Sequence, residues 1–461
     1  MGVIPDKRLS LIKGLVRSLP QPSLRSLELA LGVTNEAALL EVRELISTEL
    51  EFRYVKEAIF SPFMALFEPR GDGLAGVRFD TWILDNLWAT LEISEPELYK
   101  SSRYALRGLR TEDPTPVVFF RLVTAGAKIC REEPEKVLPA RAGSQDAEAV
   151  AEFANYLDLH RILRAVLHRL PEFMGRIDAE KAASLRLMFK DACAISSEGG
   201  YRFIESLFAN LDDGAQVVKF VATVSDRPND RFLAQSELAD FGERILAMIE
   251  AQLKDLKAVI GPRGRGCDDL GAVGDRITQS LGQLQSFEHY IDLQRDGPWG
   301  KRVAEAHRIV AEMVEAQLKG AERIVEDALP MKSERVYGRM KKDVPRLDRF
   351  PKPEAVTKAL QTLNFIRHVR NTANAGGFAS LHAKTVQALE SLMDGFYDEL
   401  LSIANGAEPF DPEVVMSFFE LVTDQMEALF GEDKAQVARR RVASSDLYKP
   451  RDAAPAATTA A

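Results

Sequence analysis

Three apolar stripes in the second half of the chain constrain the fold more than any other feature. Leu238, Phe241, Ile245, Ile249, Leu253, Leu256 and Ile260 recur at spacings of three and four, which lines them along one side of an α-helix. The pattern predicts a helix of about thirty residues, ~45 Å long. After the glycine-rich turn "GPRGRGCDDLG" comes a second stripe, Val273, Ile277, Leu281, Leu284 and Ile291. "DGPWG" then introduces a third, with Val303, Val310, Val314, Leu318, Val325 and Leu329. Short connections place consecutive helices side by side, so these three long helices are expected to run antiparallel.

The same three-and-four spacing fills most of the rest, and period-two alternation is scarce. The fold class expected is therefore all-α, built as elongated multi-helix bundles with the long antiparallel helices in the C-terminal half. "QVVKFVATV", Gln216 to Val224, is the best strand candidate, but it has no partner strand nearby and is read as helix. The stretch from Thr34-Asn35 to Ser61-Pro62 reads as one helix whose apolar residues, including Leu39, Leu40, Ile46 and Phe52, cover a wide arc and so predict burial on more than one side. "DAEAVAEFANYLDLHRILRAVLHRL" reads as a single amphipathic helix ended by Pro171.

Proline- and glycine-containing breaks divide the chain. They suggest an N-terminal helical domain at 1–140, a middle helical segment at 141–228, a long-helix domain at 229–432 and a frayed, disordered tail at 433–461. At 461 residues with 46% hydrophobic and 28% charged side chains, the chain can bury a sizeable core.

Composition excludes some functions. Sixty basic against 69 acidic residues give a net charge of −9, which disfavours a surface that coats nucleic acid. Cys130, Cys193 and Cys267 are far apart and odd in number, so neither a disulfide framework nor a zinc knuckle is indicated. Cys130 and Cys193 read as small core residues, and Cys267 has no histidine nearby to act as its base. No glutamate stands three residues before any of the six histidines, so the ligand pairs of di-iron bundles are missing. No metal and no cofactor is expected.

"MGVIPDKRLS" lacks a signal-peptide core, Asp6 spoils the myristoylation pattern, and no run approaches the ~20 apolar residues of a membrane span. A cytoplasmic location follows as the expectation. The Ala- and Arg-rich style, with an Ala/Pro/Thr tail, suggests a bacterial genome of high GC content.

The stretch "NTANAGGFASLHAKT", Asn371 to Thr385, resembles a damaged phosphate loop. Ala383 stands where the second glycine is needed, the spacing from Gly377 is one residue too long, and no strand precedes it. A left-handed helix cap at Gly376 or Gly377, followed at once by a new helix with Lys384 in solvent, accounts for it better.

Charge supplies the remaining candidates. Residues 331–353 carry Lys332, Arg335, Arg339, Lys341, Lys342, Arg346, Arg349 and Lys352 against three acids. This connector should be exposed, either lying across acidic faces of its neighbours or docking an acidic partner with Tyr337 and Phe350 as anchors. Arg367, Arg370, Asn371 and Asn374 fall on one predicted helix face, which reads first as a solvated face and second as a cradle for an acidic partner or a carboxylate. Two further stripes, Lys100/Arg103/Arg107/Arg110 and His160/Arg161/Arg164/His168/Arg169, read first as solvated or ion-paired faces and second as grips for nucleic acid or anionic lipid.

With no catalytic motif, the leading expectation is a helical scaffold or adaptor that binds another protein or itself. An all-α enzyme with a motif-less pocket, or a peripheral binder of anionic membrane or nucleic acid, are the alternatives.

Overall fold

The computed structural model describes residues 5–34, 36–71, 73–107, 109–110, 113–260, 269–337, 340–406 and 410–444, with the backbone alone at 6, 335–337, 340 and 341. Helix accounts for 77% of the chain, and the described strands form one two-stranded sheet. The chain divides into two compact units, Met1–Asp226 and Arg227–Ala461. No helix among the described residues is long and apolar enough to cross a membrane.

The first unit opens with α1 (Asp6–Ser18), α2 (Gln21–Leu31) and α3 (Ala37–Phe60), followed by a 3-10 turn at Ser61–Phe67. Beyond a loop come α4 (Thr81–Ser94), α5 (Pro96–Leu106) and α6 (Val117–Glu132). The next run is α7 (Ser144–Asp158), α8 (His160–His168) and α9 (Leu170–Met174), and α10 (Ala179–Ile195), α11 (Gly199–Ala209) and α12 (Gly214–Val224) complete the unit. "QVVKFVATV" is thus helical, within α12.

Aromatic rings fill the core of this unit. Trp88, fully buried, packs against Tyr99 at 4.7 Å and Phe52 at 5.8 Å between ring centroids. The buried carboxylate of Glu205 accepts the Val77 N–H at 2.6 Å and pins the glycine-rich loop that follows the 3-10 turn. Lys219, also buried, donates from Nζ to the carbonyls of Phe173 (2.7 Å), Met174 (3.2 Å) and Gly175, and so closes the end of α9.

Helices α6 and α7, on either side of residues 140/141, pack together within the first unit. Three expectations need correction here. The single helix expected up to Pro171 is broken at Leu159 and again at Arg169, and His160 Nδ1 pairs with the Leu157 carbonyl at the first break, 2.7 Å away. Leu39 and Leu40 are exposed, since the first half of α3 buries only Ile46. Cys193 is exposed on α10, while Cys130 is buried as expected.

The second unit begins with the short helix α13 (Asp230–Leu233) and continues with α14 (Ala239–Ile260), α15 (Leu270–Tyr290) and α16 (Pro298–Ala328). All three predicted stripes are buried on them. Helix α14 has 22 residues, shorter than the stripe suggested, because Leu238 precedes it. Ser280 of α15 meets Gln252 of α14, and Phe287 of α15 meets Trp299 of α16, as alternating directions require. Along α14 and α16 the contacts advance together, Glu250 with Arg302, Lys257 with Glu312 and the Ile260 carbonyl with Gln317, so these two lie parallel.

A hairpin follows, β1 (Met331–Tyr337) paired antiparallel with β2 (Met340–Pro345). The connector was expected only to be exposed. Two residues, Gly338 and Arg339, separate the strands in sequence. Helices α17 (Pro353–His368), α18 (Ala379–Ala404), α19 (Pro412–Phe430) and α20 (Glu432–Ala443) complete the unit, with a 3-10 turn at Val369–Thr372. Helix α20 occupies the start of the expected frayed tail; Ala435, Ala438 and Val442 bury its inner face, and Tyr397 Oη donates to the Ala438 carbonyl at 2.5 Å. Small alanines pack closely but give a weak apolar signal, which is why the helix was hidden.

Candidate functional site

Sorting the basic residues by partner locates the site. In the first unit Arg202 is held by Glu152 at 2.6 and 2.8 Å and by Glu198 at 2.6 Å, an arginine consumed by structure. The two predicted basic stripes divide in the same way. Lys100 pairs with Glu97 (3.4 Å), Arg103 and Arg107 share Glu51 (2.9 and 3.2 Å), and Arg169 pairs with Glu172 (3.2 Å). Burial alone would raise the Glu51 carboxyl, yet Arg107 and Arg103 together hold it below the ordinary carboxylate value.

His160 is buried against the Leu157 carbonyl, which leaves Arg110, Arg161, Arg164 and His168. Among the described residues none of them has an acidic side-chain partner, and all four line one cleft of about 840 Å³. The volume is that of a pocket for a small molecule or a few side chains. Helix α8 positions three of them: Leu163 and Val166 face the core, while 161, 164 and 168 fall on the opposite side at helical spacing. The segment after α5 brings Arg110 to the same cleft, where Asp113 turns its carboxylate back onto the Arg110 backbone N–H at 2.8 Å.

Arg164 sits deepest. Its Nη2 donates to the carbonyls of Ala58 (3.0 Å) and Ile59 (2.5 Å), end groups of α3 that have no helical partner. Nε and Nη1 have no hydrogen-bond partner among the described residues. Burial pushes the guanidinium down to about 10, the signature of a cation taken out of water with no anion to compensate. Aromatic surface lies beside the charges: the Arg161 guanidinium is 5.3 Å from the Phe120 ring centre, and Tyr54 lines the wall. A cleft with several unneutralised cations and exposed ring faces suits an anionic ligand with apolar parts.

The candidates in the second unit are arranged differently. Lys342 pairs with Glu399 of α18 at 2.7 Å, Lys332 with Glu334 of its own strand at 2.6 Å, and Arg346 approaches Asp348 at 4.0 Å. Arg349 is exposed, and Phe350 rests on Phe418 at 5.0 Å. Arg339 and the side chains of Arg335, Tyr337 and Lys341 lie outside the described residues. Arg367 is exposed near Gly431. Arg370 and Asn371 are exposed on the 3-10 turn, so the uninterrupted helix face expected for them ends at His368.

Around the glycine pair, the Phe378 N–H reaches the Ala373 carbonyl (3.1 Å), the Gly377 N–H reaches Asn374 (3.2 Å), and Gly377 has φ of +75°. This is a Schellman cap in front of α18. Lys384 is exposed, and His382 is buried against the Ile366 carbonyl at 2.8 Å. Cys267 lies outside the described residues.

Comparison with protein-family models, with curated proteins and with solved structures finds no match for the chain.

Proposed function

We propose that the protein is a helical adaptor that takes an acidic segment of a protein partner into the cationic cleft of its first unit. One observation carries this reading: Arg110, Arg161 and Arg164, the arginines that the two basic stripes leave without an acidic partner among the described residues, line the same cleft. Arg164 is partly buried, with Nε and Nη1 unpartnered among the described residues, so it favours an anion within its reach. The flanking rings favour a peptide carrying aromatic or aliphatic residues between its acids. The net charge of −9 works against a polynucleotide, whose continuous phosphates would meet repulsion beyond the cleft.

The test is fluorescence anisotropy with a labelled peptide of alternating Glu and Phe. Binding is expected to weaken as salt rises and to fall at least about tenfold in Arg161→Glu and in Arg110→Glu. Both side chains are exposed, so the fold is retained. Unchanged affinity in both variants, or stronger binding of single-stranded DNA than of the peptide, overturns the proposal.

A further inference from the structure

Helices α1, α2 and the first half of α3 form an arm with a thin core. Val16, Leu24 and Ile46 are buried in it, and Ile12, Leu19, Leu31, Val42 and Leu50 are partly covered. The arm is nonetheless held in place, because Arg53 donates from Nη1 to the Leu19 carbonyl (2.7 Å) and from Nη2 to that of Arg17 (2.8 Å), closing the end of α1.

Its outer surface is unusually apolar. Leu11 is 70% exposed, Leu15 63%, Leu29 78% and Val33 90%, and Leu39 and Leu40 are exposed as well. One exposed leucine needs no explanation. Six large aliphatic residues within thirty leave several hundred square ångströms of apolar surface in water, the scale of the roughly 800 Å² that each partner contributes to a standard interface.

The charges beside these residues identify the occupant. Helix α1 carries Lys7, Arg8, Lys13 and Arg17 against Asp6, whereas residues 21–50 carry Glu28, Glu36, Glu41, Glu44 and Glu49 against Arg25 and Arg43. On α1, Lys7 and Arg8 share a helical face with Leu11 and Leu15. At the start of α3, Glu36, the residue before the helix, and Glu44 stand beside Leu39 and Leu40, with exposed Arg43 between the two leucines. Each surface is a leucine pair with charge beside it, and the net signs are opposite, positive from Lys7 and Arg8 and negative from Glu36 and Glu44 less Arg43. Among the described residues Lys7, Arg8, Glu36 and Glu44 form no ion pair within the chain.

We infer that the arm is a two-fold interface with a second copy of this chain, in which the basic leucine face of α1 in each copy packs on the acidic leucine face of α3 in the other. A two-fold axis makes both contacts equivalent and closes the assembly at two chains.

Sedimentation velocity of the full chain tests this. The wild type is expected at twice its 51.2 kDa at micromolar concentration, with dissociation at least about tenfold easier in L11S/L15S. Reversing the basic face (K7E/R8E) or the acidic face (E36K/E44K) is expected to give monomers. An equimolar mixture of those two variants restores the dimer, because acidic α1 then meets basic α3 and basic α1 meets acidic α3. That recovery also excludes misfolding as the cause of the separate losses. A monomeric wild type at 100 µM, reversals that leave the dimer intact, or a mixture that stays monomeric overturns the inference. So does a monomer that sediments with phosphatidylglycerol vesicles, which assigns the face to a lipid surface instead.

Discussion

Asp230 accepts the backbone N–H of Trp299 at 3.0 Å, across 69 positions of sequence. Its second oxygen takes the Gly300 N–H at 3.1 Å, so a fully buried carboxylate covers the N-terminus of α16, the longest helix among the described residues. Two donors that no helical carbonyl can reach are satisfied by a negative charge placed where the helix dipole favours one. The site has no room for a side chain at residue 300, where a Cβ would stand 2.0 Å from the Gln294 carbonyl oxygen.

Asp230→Ala is expected to destabilise the second unit by about 2–3 kcal/mol, the cost of two charge-assisted hydrogen bonds and their orphaned donors. Asp230→Asn keeps one acceptor oxygen and should lose less. Urea unfolding followed by Trp299 fluorescence measures both. Equal stability of Asp230→Ala and wild type would show that the cap contributes nothing.

Lys219→Met should cost about 2–4 kcal/mol, since methionine fills the space and leaves the carbonyls of Phe173, Met174 and Gly175 without their donor. Thermal unfolding of the first unit reads this, and protease cleavage near Gly175 should rise in parallel.

Acid should weaken the first unit through His160. Burial lowers its folded-state value below the ordinary 6.5, outweighing the opposing Leu157 carbonyl. On acidification the unfolded chain takes up this proton first, so the contribution is full above pH 6.5 and is lost as pH falls through the lower folded value. His160→Gln is expected to flatten the stability profile between pH 7 and 5. An unchanged slope would place the acid sensitivity elsewhere.

Gly377→Ala and Lys384→Ala should separate cleanly. The first forces an L side chain to a φ of +75°, at about 1 kcal/mol or more. The second trims an exposed side chain and should stay within about 0.5 kcal/mol. Loss of ATP or GTP binding in Lys384→Ala would reinstate the phosphate loop.

The long helices were legible because each buries a stripe of large aliphatic residues, and such stripes have one structural solution. Helix α20 was not, because Ala435 and Ala438 bury too little surface to stand out from a run of charges. The β1–β2 hairpin was obscured by four basic side chains in thirteen strand-forming residues, and nothing in the spacing announced that Lys342 would find Glu399. The cleft lay in between: both cationic stripes were visible, but which charges are neutralised depends on Glu51 and Glu172, whose partners only the folded chain decides. The arm was misread because Leu39 and Leu40 have the spacing of core residues and lack a core to enter.

The seam in front of Asp230 sets where the chain tolerates being opened. Asp292 donates to the Pro228 carbonyl at 2.8 Å and accepts the Asp230 N–H at 3.1 Å, so residues 228–230 are stitched to the turn that precedes α16. A reporter domain inserted just before Arg227 leaves this clasp whole. The same insertion two or three residues later parts the stitch from the carboxylate it aims, and a helix of 31 residues loses its anchor to a change that removes no side chain.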